Sequence, residues 1–125
     1  MKLHHCAFRI TLGASEQVQR IFEQLGAVLV WEGKDQGREI ALRLGENIIQ
    51  FSEVDEAPQN SKNKIESHIA FASDDPAKEI AKLRASLETT HILVRTGAWS
   101  DTEHWLDCPS LFVDFVIAIL DPRRE

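Results

Sequence analysis

Four side chains in this chain could act together: His5, Gln50, His68 and Asp114. Two imidazoles and one carboxylate with open positions suit a single divalent metal, Fe, Mn, Zn or Ni, and a carboxamide oxygen adds a neutral, weaker donor. Repetition is what groups them. His5-Cys6-Ala7-Phe8 returns 63 residues later as His68-Ile69-Ala70-Phe71, half of a 125-residue chain. Gln50 follows His5 by 45 residues and Asp114 follows His68 by 46, so each half supplies a histidine near its start and an oxygen donor near its end. Asp114 also interrupts the apolar run Leu111 to Leu120, and a carboxylate buried there without a partner would cost several kcal/mol. The plainer reading makes both histidines polar residues on a wet sheet face, with Gln50 and Asp114 hydrogen-bonded to neighbours.

The elements that must position these residues follow from periodicity. Leu3 to Ile10 alternates as a strand, with Cys6, Phe8 and Ile10 on one face and His5, Ala7 and Arg9 on the other, so His4 points away from His5. Ser15 is placed to cap a helix whose apolar stripe is Val18, Ile21, Phe22 and Leu25 and whose stop is Gly26. Strands follow at Ala27 to Glu32, Glu39 to Leu44 and Asn47 to Ser52, with a polar turn from Gly33 to Gly37. The stretch 53–64, EVDEAPQNSKNK, reads as a linker.

The second half repeats the order. Ile65 to Ala72 is a strand, and Asp75-Pro76 starts a helix with the stripe Ala77, Ile80, Leu83 and Leu87. His91 to Arg95 is expected as a strand, Gly97 to Asp101 as a turn, and Thr102 to Leu106 as a further strand. Asp107 to Ser110 is then a tight turn before a long closing strand, Leu111 to Leu120. The fold class is therefore α+β: two tandem βαβββ units, 1–52 and 65–125 around the linker 53–64, forming a curved mixed sheet with helices on its outer face. All of it fits one domain.

Composition narrows the function. A formal charge of −6 without a basic cluster argues against a nucleic-acid partner, which needs grouped Lys and Arg. No apolar run approaches the roughly 20 residues that cross a bilayer, and the start lacks a secretory signal, so no membrane partner and a cytoplasmic location are expected. Cys6 and Cys108 are far apart, without CxxC spacing, and are expected to stay reduced. Trp99, Trp105 and His104 cluster near the last turn and could line an aromatic groove or serve as ordinary core and rim side chains. Arg43 and Arg95 stand on strands, where they could clamp an anion or simply face solvent.

The paired H-x-A-F strands and the doubled βαβββ order resemble the vicinal oxygen chelate superfamily, which includes glyoxalase-type lyases, extradiol dioxygenases, fosfomycin-modifying enzymes and bleomycin-binding resistance proteins. The stretch Asp107 to Phe115, DCPSLFVDF, is similar to the family's turn and last strand. The resemblance places His5 and His68 at first-strand ligand positions and Gln50 and Asp114 at those of the ligand glutamates. It implies a metal-dependent lyase, isomerase or dioxygenase acting on a small substrate with adjacent oxygens, with Asp114 as the catalytic carboxylate, because Gln50 cannot take a proton. The alternative it implies is a metal-free small-molecule-binding protein of the bleomycin-resistance type. Either form would be expected as a homodimer.

Overall fold

The closing strand of each half lies inside its sheet, not at the end, and this arrangement fixes the rest of the unit. A computed structural model describes residues 1–34 and 37–124, so the middle of the expected 33–37 turn, Asp35 and Gln36, lies outside the described residues. The chain divides into two compact units, Met1–Pro58 and Gln59–Glu125. Each forms its own four-stranded mixed sheet with a helix between its first two strands.

In the first unit, β1 (Cys6–Thr11), α1 (Ser15–Gln24), β2 (Val28–Lys34), β3 (Arg38–Leu44) and β4 (Asn47–Val54) give the sheet order β1-β4-β3-β2. β4 runs parallel to β1 and antiparallel to β3. Val18, Ile21 and Phe22 of α1 are buried along with Ile10, Ile40, Leu42, Ile49 and Phe51, and the Phe22 and Phe51 rings lie 4.8 Å apart. Alternation puts those strand residues on one face, which makes it the helix side.

The cap of α1 differs from expectation. The N-cap is Ala14, which has no acceptor side chain, and Ser15 is the first helical residue. The missing acceptor comes from β4: Glu53 Oε2 accepts from the Ser15 hydroxyl at 2.5 Å and from the Ser15 amide at 3.2 Å. Burial disfavours the charged form of Glu53. Hydrogen bonds from the Ser15 hydroxyl and from the Gly13, Ser15 and Arg38 amides outweigh it and hold its carboxyl below the ordinary 4.5. The anion also suits the positive end of the helix.

The second unit contains α2 (Ser61–Lys64), β5 (His68–Ala72), α3 (Pro76–Leu87), β6 (Arg95–Ser100), β7 (Glu103–Asp107) and β8 (Val116–Leu120), with sheet order β5-β8-β7-β6. α3 begins as expected, with Pro76 in its first turn and Asp75 Oδ1 accepting from the Lys78 amide at 3.2 Å. Three expectations fail here. β6 starts at Arg95, because His91 turns the chain with a left-handed φ of 61° at the end of a short 3₁₀ segment. Gly97 therefore belongs to a strand and not to a turn. The closing strand is only Val116–Leu120: Leu111 and Phe112 donate back to the Cys108 carbonyl in a turn, and the Phe112 and Phe115 rings stack at 4.4 Å.

The polar stretch 53–64 also departs from the expected linker. β4 extends through Val54, and Ser61–Lys64 is a helical turn whose Ser61 and Lys64 are buried. Lys64 Nζ lies 3.0 Å from Asp107 Oδ1 and donates to the Phe112 carbonyl, while the Ser61 hydroxyl donates to Asp107 Oδ2 at 2.6 Å. Among the described residues Asp107 Oδ1 receives no directed hydrogen bond, and the Lys64 charge is what compensates it. The same burial, together with the neighbouring Asp107 charge, pushes the Cys108 thiol up to about 12, although Lys64 pulls the other way. Cys108 is thus an inert buried thiol, whereas Cys6 is exposed; both are free.

Two stability tests follow from these anchors. Lys64→Ala strands a buried carboxylate and should cost about 3–5 kcal/mol in urea unfolding, while Lys64→Met combined with Asp107→Leu should cost clearly less. Glu53→Gln should cost about 1 kcal/mol at neutral pH. Because folding lowers the Glu53 pKa, its contribution is complete above about 4.5 and is lost as pH falls through the lower folded value, so the variant and native curves should converge in acid.

Candidate functional site

Pairing registers decide which side chains share the helix-free face of each sheet. In the first unit one row runs Ala7, Gln50, Ala41 and Trp31 across β1, β4, β3 and β2. The next row is Arg9, Ser52, Glu39 and Gly33. Gln50 Nε2 donates to Glu39 Oε2 at 3.3 Å, which joins the two rows. Arg9 is paired with Glu56 at 2.5 Å. Trp31 lies over Gly33, where a Cβ would sit 2.7 Å from the indole.

His5 lies one residue outside β1 and is exposed. Strand alternation therefore does not reach His4, and the two histidines meet instead of pointing apart: their Nδ1 atoms are 2.8 Å apart and the rings are edge to face. A cavity of about 270 Å³ in this unit is lined by Glu32, Gly33, Lys34 and Arg38 and involves neither His5 nor Gln50.

In the second unit the corresponding row is Ala70, Ala118, Trp105 and Gly97. Trp105 lies flat on Gly97, where a Cβ would stand 2.5 Å from the indole. This is why a glycine sits inside β6. His68, level with Val116, is two residues along β5 from this row. Its Nδ1 is 3.1 Å from the Ile65 carbonyl oxygen, which can only accept, so Nδ1 carries the proton and Nε2 of the neutral ring is the acceptor. The His68 ring lies 5.1 Å from that of Trp99 at an angle of 47°. Trp99 is the extra residue of a β-bulge between Ala98 and Ser100, a device that re-aims a side chain.

Aligned on the repeated histidine, the two registers pair Gln50 with Ala118 and not with Asp114. Asp114 is half-buried in a bend before β8 begins. Matched spacings of 45 and 46 conceal the difference because the connections are unequal: two residues join β3 to β4, and eight join β7 to β8. The indole that approaches the backbone of this strand is that of Trp105, the cross-strand neighbour of Gly97. Arg43 and Arg95 are exposed.

These positions bear on a divalent metal. In the first unit Gln50 is held by Glu39 and His5 by His4. In the second unit His68 is oriented by the Ile65 carbonyl, and the residue at the level of Gln50 is Ala118. Among the described residues no group of three or more His, Cys, Asp and Glu side chains converges as metal ligands do.

No family model and no curated protein sequence matches the chain. Solved structures do. FosX, a fosfomycin resistance protein from Listeria monocytogenes complexed with Mn(II) and sulfate, superposes with a TM-score of 0.62 at 11% identity over 96% of this chain and 91% of that one. A glyoxalase family protein from Enterococcus faecalis gives 0.62 at 15% over 96% and 97%. Lactoylglutathione lyase from Agrobacterium tumefaciens gives 0.58 at 16% over 98% and 95%. All three are vicinal oxygen chelate proteins, and the likeness establishes that their fold is the fold of this chain. Among the described residues no helix is long and apolar enough to cross a membrane.

The Trp105 contact is directly testable. Gly97→Ala should destabilise the second unit by about 1–3 kcal/mol and shift tryptophan emission, because the new methyl must displace the indole.

Proposed function

We propose that this protein binds a small organic molecule on the helix-free face of its sheets and does so without a tightly held metal. The observation that supports this most is His68: its tautomer is set by the Ile65 carbonyl and its ring lies against the Trp99 indole. An aimed Nε2 acceptor beside an aromatic face recognises a ring that carries an N–H or O–H donor. The first unit carries a polar pair of its own on this face, Gln50 and Glu39. Neither role needs a proton-moving carboxylate.

The competing proposal is an enzyme in which His5, Gln50, His68 and Asp114 hold one divalent ion and Asp114 serves as the catalytic carboxylate. Its support is the Mn(II) in the FosX crystals, a property of that protein. Metal analysis of untagged protein purified without chelators separates the two. We expect no stoichiometric metal and no saturable Mn(II) binding. One ion per chain, lost in His68→Ala, would decide for the enzyme.

On the ligand side, phenol serves as a small ring with one donor. It should shift the indole N–H resonance of Trp99, assigned with Trp99→Phe, and His68→Phe should weaken this response several-fold. A Trp99 resonance unmoved by millimolar phenol would count against the recognition role.

A further inference from the structure

We infer that the first unit carries a binding site of its own, built from Trp31, Glu39, Gln50 and Ser52, that takes a small primary ammonium ion. The site uses none of the residues of the His68 reading. It starts from a glycine. The six-membered ring of the Trp31 indole fills the side-chain position at Gly33, where a Cβ would stand 2.7 Å from both Cη2 and Cζ2. Directly across the β2–β3 pairing from Gly33 is Glu39. Cross-strand partners hold their Cβ atoms about 4.5–5.5 Å apart, so the register sets an aromatic ring beside a carboxylate. Trp31 is 51% exposed, which leaves the ring face turned away from Gly33 open.

Three oxygens complete the site. Glu39 is half-buried, and among the described residues no Lys, Arg or His pairs with it. Arg9, at the far end of the same row, is paired with Glu56 instead. Gln50 Nε2 donates to Glu39 Oε2, which turns the amide so that its Oε1 remains an acceptor, as does Glu39 Oε1. Ser52 is level with Glu39 on β4 and adds a hydroxyl. A carboxylate, an amide oxygen and a hydroxyl match the three N–H donors of an R–NH3+ group, and its charge faces both the carboxylate and the negative face of the indole. An anion would be repelled by Glu39, and a neutral alcohol would leave its charge unmet. The formal charge of −6 on the chain favours the approach of a cation.

Titration of the full chain with n-butylammonium chloride at constant ionic strength tests this, read on the indole N–H resonance of Trp31 and the side-chain amide of Gln50. Both should shift saturably at millimolar concentration, and n-butanol, the same chain without the charge, should bind at least ~10-fold more weakly. Tetramethylammonium keeps the charge but has no N–H donor, and it should also bind more weakly than butylammonium. Glu39→Gln, nearly the same shape, should lose ~10-fold or more in affinity. Trp31→Leu, read on Gln50, should weaken binding several-fold. Circular dichroism confirms the fold of each variant, and the comparison of ligands on native protein requires no variant. Equal responses to butylammonium and butanol, native affinity in a folded Glu39→Gln protein, or the absence of any saturable shift would overturn the inference. A Trp99 response to phenol beside an unmoved Trp31 would do so while leaving the His68 reading standing, so the two fail separately.

Discussion

The constraint on which both units depend is the parallel pairing of the first strand with the last. Placing β4 between β1 and β3, and β8 between β5 and β7, buries the closing strand on its helix side and commits every side chain on it to one face or the other. A shift of one residue would exchange the faces. The register is therefore as much a determinant of the candidate site as of the core. It puts Gln50 and Ala118 at equivalent levels and leaves Asp114 outside the ladder.

Each unit then spends one charged residue on holding an irregular segment against its sheet. In the first, Glu53 reaches from β4 to the start of α1 and supplies the acceptor that Ala14 cannot. In the second, Lys64 binds Asp107 at the end of β7 and the Phe112 carbonyl in the segment that leads to β8. Gln59 adds a backbone bond to Val113. A buried ion pair is not a large net source of stability, but losing one partner is costly, so the pair fixes where the 59–64 segment lies. The bend that carries Asp114 is held by the same contacts.

The two helix-free faces have diverged in chemistry while keeping one frame. The first carries an amide and a carboxylate, Gln50 and Glu39, with Arg9 neutralised by Glu56. The second carries alanines, an indole lying on glycine, and a histidine set against a second indole. The fold is shared with proteins crystallised with Mn(II), but side chains at particular levels of the strands, and not the fold, decide whether an ion can be held.

The sequence by itself determined the architecture. The repeated H-x-A-F strands, the amphipathic stripe Val18, Ile21 and Phe22, and the Asp75-Pro76 start signal are local patterns, and local patterns report secondary structure and its order. Those same signals were enough to point to the vicinal oxygen chelate fold. Three features were beyond them. Lys64 looked like part of a solvated linker because its partner, Asp107, is distant in sequence. Gly97 looked like a turn because only its cross-strand neighbour, Trp105, explains a glycine there. His5, Gln50, His68 and Asp114 looked like matching pairs because spacing counts residues, whereas equivalence on a sheet is set by hydrogen-bond register. A connection of eight residues in place of two puts Ala118, and not Asp114, at the level of Gln50. Register is a property of paired strands, so only the tertiary structure could decide it.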